Sequence, residues 1–432
     1  MTGVLVIAAA AAVILVLTYS MGMYLEGALA PEAPGPLSDR LFFVFVIPCL
    51  NEEVVVRATL DRLTSLPQRN FLILVIDDGS TDRTYDIAQG HPDERVHVLR
   101  RVPPEARQGK GEALNAAIAH LQESVLLTLH STDEVVVALL DADGRLDPDA
   151  LPVVGAYFAD PAVGAVQIAV RINNRRAGLL TALQDMEFVV FTTIFQRARN
   201  RLGNAGLGGN GQFTRLSALL SLGPKPWSKS LTEDLDLGVR MQLRGWQTWY
   251  CPTVSVNQQG LTSLARLVRQ RSRWFQGHLQ SWRLVPQVIR DRSGRRAAET
   301  LHVLLMPYLV IVSSFMALSL VATFAGAAFS PVARAQLLHP GPALSWYVLT
   351  FIPGLFLGYV YRRHGDRIGV FRTFLYGHAF VLYGVAWMLA GWWALARIAV
   401  RRHAWLKTER VAESPLAEEP RHDRFTEHPR SA

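Results

Sequence analysis

The sequence has little cysteine: Cys49 and Cys251 are the two in 432 residues. Two cysteines cannot build a disulfide framework or a cysteine-rich metal site, and an isolated cysteine usually behaves as a small buried hydrophobe. Charged residues are also scarce, at 19%, whereas half of the residues are hydrophobic and the mean hydropathy is +0.17. This composition excludes a disordered chain, and the length suits two or three domains.

Basic residues are missing from the first part of the chain. No lysine or arginine precedes Arg40, although residues 4–17 form an almost unbroken apolar run. A secretory signal peptide begins with a basic segment, so its absence favours an uncleaved transmembrane anchor over residues 1–27. Because basic segments stay in the cytoplasm, the chain after Arg40 is expected to be cytoplasmic.

The apolar excess returns near the other end of the chain. Three stretches, each near the ~20 residues that a bilayer requires, lie at about 301–325, 344–361 and 374–399. We therefore predict transmembrane helices over residues 300–400.

Two basic segments restrict the topology of these helices. Residues 362–367 and residues 401–403 are basic and should both be cytoplasmic. Four spans would place the second segment outside, and a re-entrant or interfacial segment would resolve that conflict. The polar, charged tail at 401–432 has the composition of a disordered segment.

Residues 41–260 follow a different pattern, in which short apolar runs alternate with polar, helix-like segments. Continuous apolar strands are typical of a parallel sheet that helices cover on both faces. We predict an α/β domain with a doubly wound, mainly parallel sheet, and strands at 42–47, 71–76, 96–99 and 135–140. Ligands of such sheets bind outside the carboxyl ends of the strands.

Polar motifs follow three of these strands, and two more occur later. They are PCLNEE (48–53), DDGSTD (77–82), DADG (141–144), TED (232–234) and QRSRW (270–274). Together and in this order they resemble the family 2 glycosyltransferases, in particular the membrane-embedded branch that includes cellulose, chitin and hyaluronan synthases. The resemblance covers about residues 42–282. It implies a nucleotide-sugar glycosyltransferase fold in the cytoplasm, with transmembrane helices on either side.

Two aspartates of the third motif, Asp141 and Asp143, are predicted metal ligands. Mg²⁺ and Mn²⁺ prefer oxygen ligands and often bridge carboxylates to substrate phosphates. Such a metal would neutralise the leaving diphosphate of a nucleotide sugar. An ordinary strand-to-helix turn, in which aspartate and glycine are common, is the alternative.

The other predicted donor contacts are acidic, amide and basic side chains near the strand ends. The resemblance implies that the first and second motifs bind the nucleoside, although helix capping is an alternative for the second. A cation between two glycines at a helix start suits phosphate contact. The predicted nucleotide-sugar-binding residues are Pro48, Asn51, Glu52, Asp77, Asp78, Lys110, Asp141 and Arg273.

An inverting transfer requires a base that takes the proton of the acceptor hydroxyl. By resemblance to the TED motif, Asp234 is that base and Glu233 lies beside it. Asp236 is a nearby competitor that faces another side of the helix. The alternative is an acidic helix start that the helix dipole stabilises.

The fifth motif supplies predicted acceptor contacts. The Trp274 indole can stack on a sugar ring, and Arg273 can hold the diphosphate; Gln270 completes the motif. Asn210 and Gln212, in a GGNGQ run similar to that of lipid-glycosylating bacterial relatives, fall where the family forms part of its acceptor site.

Residues 261–299 resemble a basic amphipathic helix on the inner membrane surface. Nine arginines and one acid occur between positions 266 and 296. Because this segment accounts for part of the +8 net charge, no nucleic-acid partner is needed to explain it.

The sequence thus predicts a multi-pass membrane enzyme that transfers a hexosyl unit, with inversion, from a nucleotide sugar, with a UDP-sugar as the expected donor. The acceptor is predicted to be a growing β-linked polysaccharide; a membrane lipid is the alternative. A catalytically inactive sugar-binding membrane protein is the non-enzymatic alternative. Export or accessory subunits are not identifiable.

Overall fold

The computed structural model describes residues 2–29, 40–291 and 293–400; the prediction for the tail at 401–432 lies outside these residues. Eight strands form one mixed sheet with the order β3-β2-β1-β4-β7-β6-β8-β5. The strands are β1 Phe42–Cys49, β2 Phe71–Asp77, β3 Val96–Arg100, β4 Val135–Leu139, β5 Arg145–Leu146, β6 Val163–Ile172, β7 Gln212–Arg215 and β8 Gln247–Gln258. The four predicted strands are thus confirmed.

The helices of the α/β domain and of the segment that follows it connect these strands or lie on the sheet. They are α2 Val56–Thr64, α3 Thr84–Gln89, α4 Lys110–Gln122, α5 Leu126–Leu129, α6 Ala150–Tyr157, α7 Leu179–Phe191, α8 Arg197–Arg199, α9 Leu216–Leu220, α10 Glu233–Leu243, α11 Leu264–Gln280, α12 Val285–Arg290 and α13 Arg295–Leu305. A π-helical turn, Thr192–Gln196, joins α7 to α8.

The sheet is doubly wound, as predicted. Strands β1 to β4 are mutually parallel, whereas β7 runs antiparallel to β4 and β6. Alternate residues of β1 enter different cores: Phe43 and Phe45 pack on one face, and Val44 and Val46 on the other. Both faces are therefore apolar, which explains the continuous apolar runs.

The terminal apolar segments are helical. They form α1 Thr2–Ala28, α14 Pro307–Phe329, α15 Pro331–Leu338, α16 Pro340–His364 and α17 Val370–Ala399. Within the described part of the chain, 343–364 and 370–399 are long and apolar enough to span a membrane. A third candidate is a pair bent by 50°, Arg295–Leu305 with Pro307–Phe315, which is a broken span or a re-entrant loop.

The loop between α16 and α17 is bound to the α/β domain. Asp366 of this loop pairs with Arg171 at 3.2 Å and with Arg175 at 2.8 Å. Arg171 also holds Asp185 through two hydrogen bonds of 2.9 and 2.8 Å. The basic loop is thus on the same side of the protein as the α/β domain.

The basic amphipathic segment is helical, and much of its apolar side is covered by the chain itself. Val268 of α11 is buried in a cluster that includes Ala386 and Ala390 of α17. Phe275 of α11 is 3% exposed and lies next to Gly391 of α17. Leu264 and Trp282 remain exposed. Packing on α17 therefore buries much of the apolar face that was expected to lie on the membrane surface.

Candidate active site

A cavity of about 720 Å³ opens at the carboxyl ends of β1, β2 and β4. Helix α4 contributes Lys110 and Ala113, α10 its first turn and α11 one face. The cavity brings together most of the predicted site residues, namely Pro48, Glu52, Asp78, Lys110, Asp141, Asn210, Glu233, Asp234, Gln270, Arg273 and Trp274.

Four predicted site residues do not line the cavity. Asn51 accepts a hydrogen bond from the Thr81 backbone at 2.8 Å, and Asp77 accepts one from the Ser80 backbone at 3.1 Å. Asp143 and Gln212 are buried, and Asp143 accepts a hydrogen bond from the Gln259 backbone at 3.0 Å. These side chains shape the loops and strands around the cavity.

A lysine joins the acidic groups of two motifs. The Lys110 Nζ lies 2.9 Å from Asp141 Oδ1 and 3.8 Å from Glu233 Oε1. Burial lowers the pKa of Lys110, but the neighbouring carboxylates outweigh it and the pKa is raised. Lys110 therefore stays charged and holds the DADG and TED motifs together.

Asp234 and Glu233 both have raised pKa values in this cavity. Burial, followed by the negative charge of Glu233, raises the pKa of Asp234 to about 7. Burial raises the pKa of Glu233 as well. A carboxylate with a pKa near the working pH is suited to general base catalysis. Asp236, in contrast, is fully buried and pairs with Arg240 and Arg283.

The GGNGQ run forms a tight loop against Asp234. Gly209 has a φ of +69°, and a Cβ there would lie 3.0 Å from Asp234 Oδ2. Asn210 Oδ1 accepts a hydrogen bond from the Asp141 backbone at 3.1 Å. Gln167 of β6 donates to the Asn210 carbonyl at 2.8 Å and accepts from the Gly208 backbone at 2.8 Å. Asn210 thus positions the start of the DADG motif.

The second motif presents one aspartate to the cavity. Asp78 is 3% exposed and forms an ion pair with Arg101. Burial raises the pKa of Asp78, and the positive charge of Arg101 opposes that effect. The buried pair can present a carboxylate oxygen to a nucleoside donor group.

An ionic and aromatic cluster contacts Trp274, and two of its members, Glu187 and Trp387, line the cavity as well. The Arg271 guanidinium lies 3.9 Å from the centre of the Trp274 ring. Glu187 of α7 accepts hydrogen bonds from Arg271 at 2.7 Å, from Tyr383 at 2.5 Å and from Trp387 at 2.9 Å. The cluster thereby links the motif of α11 to α17.

The model of the family described as "Glycosyltransferase like family 2" matches residues 40–277, more than half of the chain. The chain belongs to this family. This glycosyltransferase shares its fold with the mannosyltransferase PcManGT from Pyrobaculum calidifontis in complex with GDP-Man and Mn²⁺. The TM-score is 0.57, with 19% identity over 91% of this chain and 99% of the other.

Curated relatives of this glycosyltransferase include synthases named for a glycolipid and for a polysaccharide. A beta-monoglucosyldiacylglycerol synthase of Nostoc sp. is 30% identical over 85% of this chain and 76% of its own length. The enzyme of that name from Synechocystis sp. is 32% identical over 61% of this chain and 54% of its own length. A poly-beta-1,6-N-acetyl-D-glucosamine synthase of Staphylococcus aureus is 27% identical over 54% and 53%. The chain thus spans about half the length of the last two.

The acidic side chains of this glycosyltransferase match a divalent-metal site only in part. Asp141 reaches the cavity, whereas Asp143 lies outside the cavity lining. No cluster of three or more acidic, histidine or cysteine side chains suited to a metal occurs among the described residues. Magnesium is commonly held by one or two carboxylates together with substrate phosphates. A metal held mainly by the donor diphosphate is therefore compatible with Asp141.

Sequence motifs missed the part of the cavity that faces the C-terminal helices. Its residues include Glu187, Phe188, Phe191, Arg199, His278, Val303, Met306, Leu309, Val310, Trp387 and Met388. Apolar side chains are expected throughout a membrane protein, so their periodicity gave no signal. The acidic Glu187 and the basic Arg199, each close to an apolar run, are the signals that could have been noticed.

Proposed function

We propose that this glycosyltransferase transfers a hexosyl unit from a UDP-sugar to a hydroxyl group of a membrane lipid, with inversion, at the cytoplasmic face of a membrane. The observation that carries the acceptor class is the continuity of the cavity. Asp234 lines the same space as Val303 before the helix break and Val310 after it. An acyl chain could lie along these apolar residues while its headgroup reaches Asp234.

The chemistry follows from the placement of the charged groups. Asp234 accepts the proton of the acceptor hydroxyl as its oxygen attacks the anomeric carbon. The bond from that carbon to the diphosphate breaks on the opposite face, which inverts the configuration. Lys110 and Arg273 face the developing negative charge of the diphosphate. Asp141 would hold a Mg²⁺ or Mn²⁺ ion, which would supply further charge neutralisation.

The experiment uses purified full-length protein in vesicles of mixed glycerolipids with a panel of radiolabelled UDP-sugars. Products are separated into lipid-soluble and polymeric fractions, and we expect the label in the lipid fraction. The Asp234→Asn variant tests the role of the base. Its rate should fall about 10²–10⁴-fold, the usual contribution of a general base, while its affinity for UDP stays unchanged. Label in polymer alone would refute the lipid acceptor.

A growing polysaccharide is the second candidate acceptor. Trp274 of the QxxRW motif lines the cavity and offers an indole face to a sugar ring. Against it, the described chain has two candidate spans and one bent pair, which are few helices to guide a polymer across a membrane. Product that elongates with time, rather than a single labelled lipid species, would favour this candidate.

A further inference from the structure

Arg199 is a buried cation in the part of the cavity that faces the C-terminal helices. Its side chain is 2% exposed, and the residue lines the cavity together with Val303 and Met306. No described residue accepts a hydrogen bond from its Nε or Nη2 atom. A guanidinium stays charged at neutral pH, and a buried charge without hydrogen bonds is costly. The position is therefore suited to a ligand that supplies the missing acceptor atoms.

The described residues near Arg199 interact with its charge but supply no hydrogen-bond acceptor for its Nε and Nη2 atoms. Glu299 of α13 attracts the guanidinium from a distance, and its carboxylate accepts a hydrogen bond from Tyr19 at 2.8 Å. His278 Nε2 lies 2.6 Å from the Val303 carbonyl, and burial lowers the pKa of His278. His278 is then neutral, so Arg199 provides the positive charge here.

The two atoms without acceptors define the shape of the ligand. Nε and Nη2 lie on one edge of the guanidinium and form a fork that can bind two oxygens of one group. Both atoms are covered in this structure, so the Arg199 side chain must turn toward the cavity that it lines in order to bind such a group. Arg171 of this chain uses the same two atoms to hold both oxygens of Asp185, at 2.9 and 2.8 Å. A fork of this kind matches a phosphate better than a single ester carbonyl.

We propose that Arg199 binds the phosphate of the acceptor lipid, so that the substrate is a phosphate-bearing glycerolipid rather than a neutral diacylglycerol. This inference rests on the proposed function, since it places an acceptor lipid in the cavity. The phosphate lies at Arg199, the acyl chains extend past Val303 and Val310, and the free hydroxyl reaches Asp234. The donor diphosphate is held separately, at Lys110.

The test compares two lipids that differ in the phosphate-containing headgroup. Purified full-length protein in an uncharged polyoxyethylene detergent receives the radiolabelled UDP-sugar with dioleoylphosphatidylglycerol or dioleoylglycerol. We expect kcat/KM to be at least about tenfold higher for phosphatidylglycerol, which corresponds to one charge-assisted contact. Equal or better use of dioleoylglycerol would overturn the inference.

Three variants locate the effect. Arg199→Gln should reduce the preference for phosphatidylglycerol to near unity and leave the affinity for UDP unchanged, and Arg199→Lys should keep part of the preference. Arg201→Gln, which removes an exposed arginine two residues away, should behave as wild type. Retained preference in Arg199→Gln, or weaker UDP binding, would show that Arg199 does not bind the acceptor.

A binding measurement separates this inference from the proposed function. Without donor, phosphatidylglycerol should raise the melting temperature of the wild-type protein more than dioleoylglycerol or inorganic phosphate does. An equal shift with inorganic phosphate would mean a general anion site and overturn the lipid assignment. A phosphatidylglycerol-specific shift with polymer as the only labelled product would contradict the proposed function and would show that Arg199 binds a phospholipid that is not the acceptor.

Discussion

Gly209→Ala tests whether the space beside Asp234 matters for catalysis. Gly209 has a φ of +69°, and its added Cβ would lie 3.0 Å from Asp234 Oδ2. The backbone conformation alone costs an alanine roughly 1–2 kcal/mol. The close contact adds a displacement of the carboxylate by a few tenths of an ångström or more. Since a misplaced catalytic group can cost about 10²-fold, we expect kcat to fall roughly 10- to 100-fold.

The control for this prediction is Gly245→Ala. Gly245 has a φ of +91°, and its Cβ would meet nothing within 4 Å. Both variants should lower the melting temperature by a similar amount, about 2–4 °C for each kcal/mol in a domain of this size. Initial rates at saturating substrate concentrations then separate the backbone strain, which both variants share, from an effect on catalysis. If Gly209→Ala lost no more kcat than Gly245→Ala, the argument that the Asp234 carboxylate must keep this position would be refuted.

Three further outcomes are expected. Because burial raises the pKa of Asp234 to about 7, kcat/KM should fall as the pH drops below that value and the base becomes protonated; a rate that stays constant through this region would contradict the assignment. EDTA should stop turnover, and full activity in EDTA would exclude a role for the metal. Asp141→Asn should weaken metal-dependent UDP binding more than Asp143→Asn does, because Asp143 lies outside the cavity lining. Glu187→Gln removes the charge that holds Arg271 against Trp274, so the KM for the acceptor should rise about tenfold with the donor KM unchanged. Equal rises in both would indicate a general loss of structure.

Much of the fold was predictable because its signals are local. A sheet covered on both faces needs uninterrupted apolar strands, so β1 and β4 could be read from the sequence to within two residues. The motifs were predictable for a related reason, since strand ends and helix starts in such a sheet converge on one edge. Asp78, Asp141 and Asp234 do meet in one cavity.

Individual side-chain roles within the motifs were less predictable. Asn51 and Asp77 satisfy backbone groups of the neighbouring loop, whereas Glu52 and Asp78 line the cavity. Adjacent residues of a loop point in different directions, and the backbone path decides which one faces the ligand. A motif therefore predicts where a site lies more reliably than which member of a pair acts.

The sequence by itself determined the strand positions, the acidic motifs and the apolar helices, because each depends on residues close together in the chain. Only the tertiary structure decided how the helices complete the site. Tyr383 and Glu187 are 196 residues apart and share a hydrogen bond, and Arg199 lines the same cavity as Val303. Such contacts depend on packing between distant segments, which no local pattern records.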